Sequence, residues 1–177
     1  SRNDRIRYYD GTAPHGTPLQ ETGKGPAGVN KKMDGCPMTS LRQYAERAAG
    51  HLTSCLPGEH GPDIFIQTGS GFRIADLLDE HFISLPLADL PGMPAAASPA
   101  GHSLTLHYGR CGDIHVLLSE GRRHLYEGFG TVPCVLPLCA AILCGVKAAV
   151  LIAAAGGVTG DHPVGTLMII TDCINAA

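Results

Sequence analysis

Between Gly121 and Gly128 the chain places Arg122, Arg123, His124, Tyr126 and Glu127 within eight residues. The guest such a set suits is an oxyanion. Arg122 offers a planar fork of donors that matches a phosphate edge, and His124, two residues on, falls on the same side of an extended backbone. The apolar run Ile114, Val116, Leu117 and Leu118 reads as a buried strand leading into the octet. These groups therefore emerge at a strand's C-terminal end, where open α/β sheets hold their ligands. The competing reading is a solvated loop, since arginine and histidine after a strand are ordinary surface residues.

Two further stretches have the chemistry of an anion cradle. Residues 63–68 read as a short buried strand running into Gly69-Ser70-Gly71, with a helical stretch expected over residues 73–81. Free backbone N–H groups at such a turn, with the Ser70 hydroxyl, suit phosphate, although a lone Gly-x-Gly lacks the spacing of the nucleotide-binding fingerprints and also fits a plain turn. Residues 146–153 read as a strand apolar on both faces, as the middle of a parallel sheet requires, and open into Ala153-Ala154-Ala155-Gly156-Gly157. Small residues there let a backbone approach a ligand closely.

The elements that must position these groups follow from periodicity. Leu41, Tyr44, Ala45, Ala48, Leu52 and Cys55 recur at helical spacing across residues 38–55, with Ser40 and Gln43 spaced as a capping box. Residues 85–99 read as an irregular connection ending at Gly101-His102. Leu104, Leu106 and Tyr108 alternate with Thr105 and His107, so this run and the strand over residues 114–118 form a hairpin. His115 is expected to be a satisfied core imidazole, and His102 on its own reads as a loop residue. Residues 134–144 are expected to be helical, with Pro133 near the first turn and Gly145 past the end, and residues 165–171 to form one more strand.

Composition bounds the rest. At 177 residues and 44% hydrophobic content the chain supports one domain with a real core. A net charge of −3 with scattered basic residues gives no electrostatic reason to expect nucleic acid, and 5% aromatic content without tryptophan leaves few stacking platforms for bases. Seven cysteines without a Cys-x-x-Cys pair fit a reducing, intracellular compartment. Cys134, Cys139 and Cys144, five apart, turn off one another's helical face, so no metal site is expected. Residues 132–155 are almost uncharged, but Pro133, Pro137, Gly145 and Lys147 divide them into a helix and a strand rather than a membrane span. Residues 1–37 are rich in glycine and proline and read as an extended arm, either an inert tail or a packing surface. The start at Ser1, with no secretory leader in sight, reads as a processed, tagged or partial chain.

Taken together, Gly69-Ser70-Gly71, Gly101-His102, the octet 121–128, Ala154-Ala155-Gly156-Gly157 and the run 164–175 resemble the trimeric purine nucleoside phosphorylase and methylthioadenosine phosphorylase family, in its order and near its spacing. The resemblance implies a three-layer α/β fold with a mixed, mostly parallel central sheet, here incomplete, over residues 38–177. It implies phosphorolysis, in which inorganic phosphate attacks C1′ of a purine nucleoside and displaces the base. Phosphate is the co-substrate and no cofactor is needed. Ser70, Arg122, His124 and the Ala154 N–H would hold the phosphate, Tyr126 would face the ribose, and His102 would lie near the phosphate mouth, with Arg122, His124 and His102 as the catalytic set. Homotrimers are implied too, and a place in a larger assembly is the alternative. The chain departs from the family at Ala153 for asparagine, Arg123 for an aromatic and Cys173 for histidine, and Arg123 either aids anion binding or fills the pocket. The part of the family that follows, with its purine-binding glutamate and asparagine, is not in this sequence. Two readings result: the phosphate-binding half of a phosphorylase completed from elsewhere, or an inactive structural subunit whose arm and open sheet edge are packing surfaces. A stand-alone anion-binding module is a third.

Overall fold

The computed structural model describes residues 38–69, 72–95, 104–158 and 160–173. They fall into two compact units, one within residues 32–155 and one that includes residues 156–173. The expected arm over residues 1–37, Ser70 and His102 all lie outside the described residues.

The larger unit opens with helix α1, Met38–Cys55. Ala45, Ala48, Ala49 and Leu52 form its buried stripe at i, i+3, i+4 and i+7. Ser40 falls inside the helix rather than ahead of it, so the expected capping box does not mark its start. Five strands follow: β1 (Ile64–Gln67), β2 (Glu80–Pro86), β3 (Thr105–Cys111), β4 (Ile114–Glu120) and β5 (Ala148–Leu151), in the order β2-β3-β4-β1-β5. β2-β3 and β3-β4 pair antiparallel, whereas β1 pairs parallel with both β4 and β5. The sheet is therefore mixed, and the hairpin read from the alternation at residues 104–118 is β3-β4. Between β4 and β5 runs helix α2, Val132–Leu143. Pro133 sits in its first turn, where no intrahelical donor is lost, while Pro137 lies inside and costs the helix one bond. What holds α2 together is packing: Val132, Leu136, Ala140 and Ala141 share one core with the α1 stripe and with Phe65, Leu106, Tyr108 and Leu117 from one face of the sheet. Burial of this kind stabilises by roughly 25 cal/mol per Å² of apolar surface.

Several expectations fail for tertiary reasons. The helix over residues 73–81 is a single 3-10 turn, Ala75–Leu77, and residues 80–86 are instead strand β2. Here cross-strand pairing with β3 overrides local preference, and it depends on Gly109, where a Cβ would collide with the Glu80 carbonyl. For the same reason residues 85 and 86 are not irregular, and the turn Leu87–Asp89 beyond them places Leu87 and Leu90 in the core. β5 is not central but an edge of the described sheet, and all four of its residues are exposed. Residues 165–171 form no strand; Leu167 and Ile169 are exposed, since apolar, β-branched sequence makes a strand only when a partner supplies the ladder. His115, expected in the core, is half-buried beside Asp63 and stacked on His60.

Among the described residues no helix is long and apolar enough to cross a membrane, and no group of three or more histidine, cysteine or acidic residues is arranged to hold a metal ion. The six described cysteines are free thiols.

Candidate functional site

Because β4, β1 and β5 are adjacent and parallel, their C-terminal ends lie side by side. At that edge the strands change character: apolar Ile64, Phe65 and Ile66 give way to Gln67 and Thr68, and Val116, Leu117 and Leu118 to Ser119 and Glu120, all four polar residues being buried. Buried polar groups need partners. The Thr68 hydroxyl lies 3.4 Å from the carbonyls of Phe72 and Ser119 and accepts from the Gly121 N–H at 3.4 Å. Its N–H donates to the Ser119 carbonyl at 2.9 Å, and the Ser119 hydroxyl to the Gly121 carbonyl at 3.0 Å. These bonds seam the exit of β1 to the exit of β4. The signal for them in the sequence is the switch from apolar to polar at the end of each run.

On this seam stands Arg122. Its Nη1 donates to the Ile152 carbonyl, just beyond β5, at 3.3 Å, and Nη2 lies 3.8 Å from the position a Cβ would take on Gly69. From that same position the Ile152 oxygen is 3.5 Å away and the Ala153 Cα 3.9 Å. Gly69, Arg122 and the 152–153 backbone, from three different strand ends, thus meet at one place. Ser70 adjoins Gly69 outside the described residues, and Ala154 follows Ala153 in an exposed run. Among the described residues no carboxylate lies within ion-pair distance of Arg122, so its charge faces only a neutral carbonyl.

Arg123 does the opposite. It is 3% exposed, donates to Glu127 Oε2 at 2.7 Å and to the Pro94 carbonyl at 3.5 Å, and lies over the Phe129 ring at 5.3 Å. Its charge is therefore cancelled in the interior by Glu127. The other oxygen of Glu127 accepts from the His124 N–H at 2.7 Å. Burial pushes the Glu127 carboxyl up, but the Arg123 and His124 hydrogen bonds outweigh it and leave the group below the ordinary glutamate value. A 3-10 turn, Leu125–Glu127, closes on Gly128, whose φ of 80° is the left-handed conformation that favours glycine. Within this turn His124 is half-buried and its ring stacks on Tyr126 at 5.0 Å and 12°, while Tyr126 is 81% exposed. The structure therefore joins Arg122 to the Gly69 turn and the 152–153 backbone, and pairs His124 with Tyr126. His102 lies outside what it describes.

The C-terminal ends of adjacent parallel strands, where Gly69, Arg122 and the 152–153 backbone meet, are where open α/β folds place their ligands. A family profile described as the phosphorylase superfamily matches residues 63–177, and the chain belongs to that family. Within it, the chain is similar to purine nucleoside phosphorylase 1 of Bacillus subtilis, 34% identical over 135 residues, covering 76% of this chain and 49% of the relative. To the purine nucleoside phosphorylase of Mycobacterium leprae it is 37% identical over 136 residues, with the same two coverages, 76% and 49%. Among solved structures, the Schistosoma mansoni purine nucleoside phosphorylase in complex with inosine matches with a TM-score of 0.59 at 31% identity, over 70% of this chain and 42% of that one. A purine nucleoside phosphorylase in complex with ribose-1-phosphate matches with a TM-score of 0.60 at 30% identity, over 70% and 44%. The chain is thus a purine-nucleoside-phosphorylase-like domain that spans about half the length of the curated relatives it matches.

Proposed function

We propose that this domain supplies the phosphate-binding half of a purine nucleoside phosphorylase, acting in phosphate-dependent cleavage of the N-glycosidic bond once the base-binding half of the fold is present. The observation that carries this reading is the meeting of Gly69, Arg122 and the 152–153 backbone at one sheet edge, with a guanidinium that no described carboxylate neutralises. In this scheme Arg122, Ser70, His124 and the Ala154 N–H hold inorganic phosphate, Tyr126 borders the ribose and His102 stands at the mouth. A phosphate oxygen attacks C1′, the C1′–N9 bond breaks, and its electron pair leaves with the purine. A phosphate dianion pinned beside an oxocarbenium-like sugar supplies both the nucleophile and the compensating charge, so neither metal nor organic cofactor is called for. The same reading assigns a homo-oligomer, trimeric as the resemblance implies, in a reducing intracellular compartment.

Calorimetry with inorganic phosphate, paired with base release from inosine, adenosine and methylthioadenosine, tests it. Arg122→Ala is expected to weaken phosphate binding by about 10- to 100-fold, the worth of a charge-assisted bidentate contact. Binding unchanged in that variant would remove Arg122 from the site. Phosphate binding without base release would favour the binding half, or an interaction subunit, over a complete enzyme.

A further inference from the structure

Glu120 is the last residue of β4, directly before the Gly121-Arg122 loop, and is 6% exposed. One of its oxygens, Oε1, accepts two backbone hydrogen bonds, from Ile74 at 3.0 Å and Ala75 at 2.9 Å. Those two residues follow Phe72, whose N–H donates to the Gly69 carbonyl at 3.4 Å. Its other oxygen lies 3.6 Å from Nε2 of His107, a buried nitrogen that has no hydrogen-bond partner among the described residues. On its far side the His107 ring is held through Nδ1 by the Ser84 hydroxyl at 2.8 Å and by His81 Nε2 at 3.2 Å. A carboxylate one residue from a loop that would hold a dianion is electrostatically unfavourable, so its presence there calls for a geometric reason. The backbone bonds supply one: they tie the Ile74 and Ala75 backbone, which follows Gly69, to the end of β4, two residues before Arg122.

We propose that Glu120 is a positioning residue for the phosphate site, fixing the span between Gly69 and Arg122 through the Ile74 and Ala75 amides, with His107 beside its second oxygen. The proposal rests on the phosphate-binding reading above and adds a residue that makes no contact with phosphate. Two groups face the His107 ring with charge or titration: Glu120 from β4 and His81 from β2. Burial, the larger influence, lowers the His107 pKa, and the Glu120 carboxylate opposes it only in part.

The test is inorganic phosphate titrated calorimetrically into the full chain as wild type, Glu120→Ala and Glu120→Gln, with amide hydrogen exchange read at Ile74 and Ala75. Glu120→Gln keeps an oxygen for both amides and is expected to stay within about threefold of wild-type affinity. Glu120→Ala is expected to lose about 10-fold and to lose protection at Ile74 and Ala75, while Phe65 and Leu117 in the sheet stay protected. Phosphate binding in Glu120→Ala as tight as wild type, or tighter as removal of a repelling charge alone would give, overturns the proposal. So does unchanged protection at the two amides. Should the wild-type chain bind no phosphate, the site reading itself fails. The tie is then decided by exchange alone, supported by loss confined to Glu120→Ala and overturned by none.

Discussion

The two ends of the central sheet handle charge in opposite ways. At the end where β1 begins, Asp63 accepts from Lys147 Nζ at 2.6 Å and from the His115 N–H at 3.0 Å, and lies 3.6 Å from the His115 ring. There the Asp63 carboxylate and the Lys147 ammonium neutralise each other. At the end where β1, β4 and β5 finish, the Arg122 guanidinium meets a backbone carbonyl and a glycine turn, and no described carboxylate. Its neighbour Arg123 shows that the fold is able to neutralise an arginine when it buries one, for Glu127 does so at 2.7 Å. The difference teaches that the open charge of Arg122 is a local feature of the strand exits rather than a general property of the chain, and an anion is what would complete it.

The most direct way to break that contrast is to give Arg122 a carboxylate of its own. Gly69→Asp adds one where a Cβ makes only ordinary contacts, the nearest at 3.5 Å. The variant is expected to fold and to lose phosphate binding by about 100-fold or more in calorimetry, because the new side chain occupies the anion's place. Retained binding would mean that Arg122 is not the recognition group. Next in size, Glu127→Gln removes the carboxylate facing the buried Arg123 guanidinium and should destabilise the fold by about 3 kcal/mol in denaturant titration. Because the folded-state pKa of Glu127 is depressed, its wild-type contribution is complete at neutral pH and is lost as the pH falls below the ordinary glutamate value, about 4.3. The stability gap between wild type and variant should therefore narrow on acidification, and a gap independent of pH between 3 and 7 would contradict the pairing. The smallest effect is expected at the other end of the sheet. Lys147 is 78% exposed at its side chain, and Lys147→Ala should move the melting midpoint by no more than about 2 °C and leave phosphate binding untouched. A large shift there would erase the distinction between the two ends.

Much of this arrangement is legible in the sequence alone. The octet announced a strand exit, and β4 does end at Glu120, one residue before it. The periodicities gave α1 over residues 38–55, α2 to within two residues at its start, and the β3-β4 hairpin, since each rests on a local pattern of apolar spacing. Arg123 was the ambiguous departure, able to aid or to block an anion, and only its pairing with Glu127 and stacking on Phe129 show that its charge is spent inside. The strand over residues 80–86 is not legible in the sequence because Glu80 and His81 carry no alternating pattern; its existence depends on a partner 23 to 30 residues later, from Ser84 opposite His107 to Glu80 opposite Arg110. The polar seam of Thr68, Ser119 and Glu120 is hidden in the sequence for a related reason, since a buried serine or glutamate after an apolar run looks like the start of a loop.

By itself the sequence determined which residues could form helix or strand, and that cations, an imidazole and small residues stand at strand ends, because those properties are written in local spacing and residue type. The tertiary structure decided which strand ends are neighbours, which of two adjacent arginines is neutralised, and where β5 comes to lie. Hydrogen-bond pairing and charge compensation act between residues far apart in the chain, and no local pattern encodes which distant partner will be met.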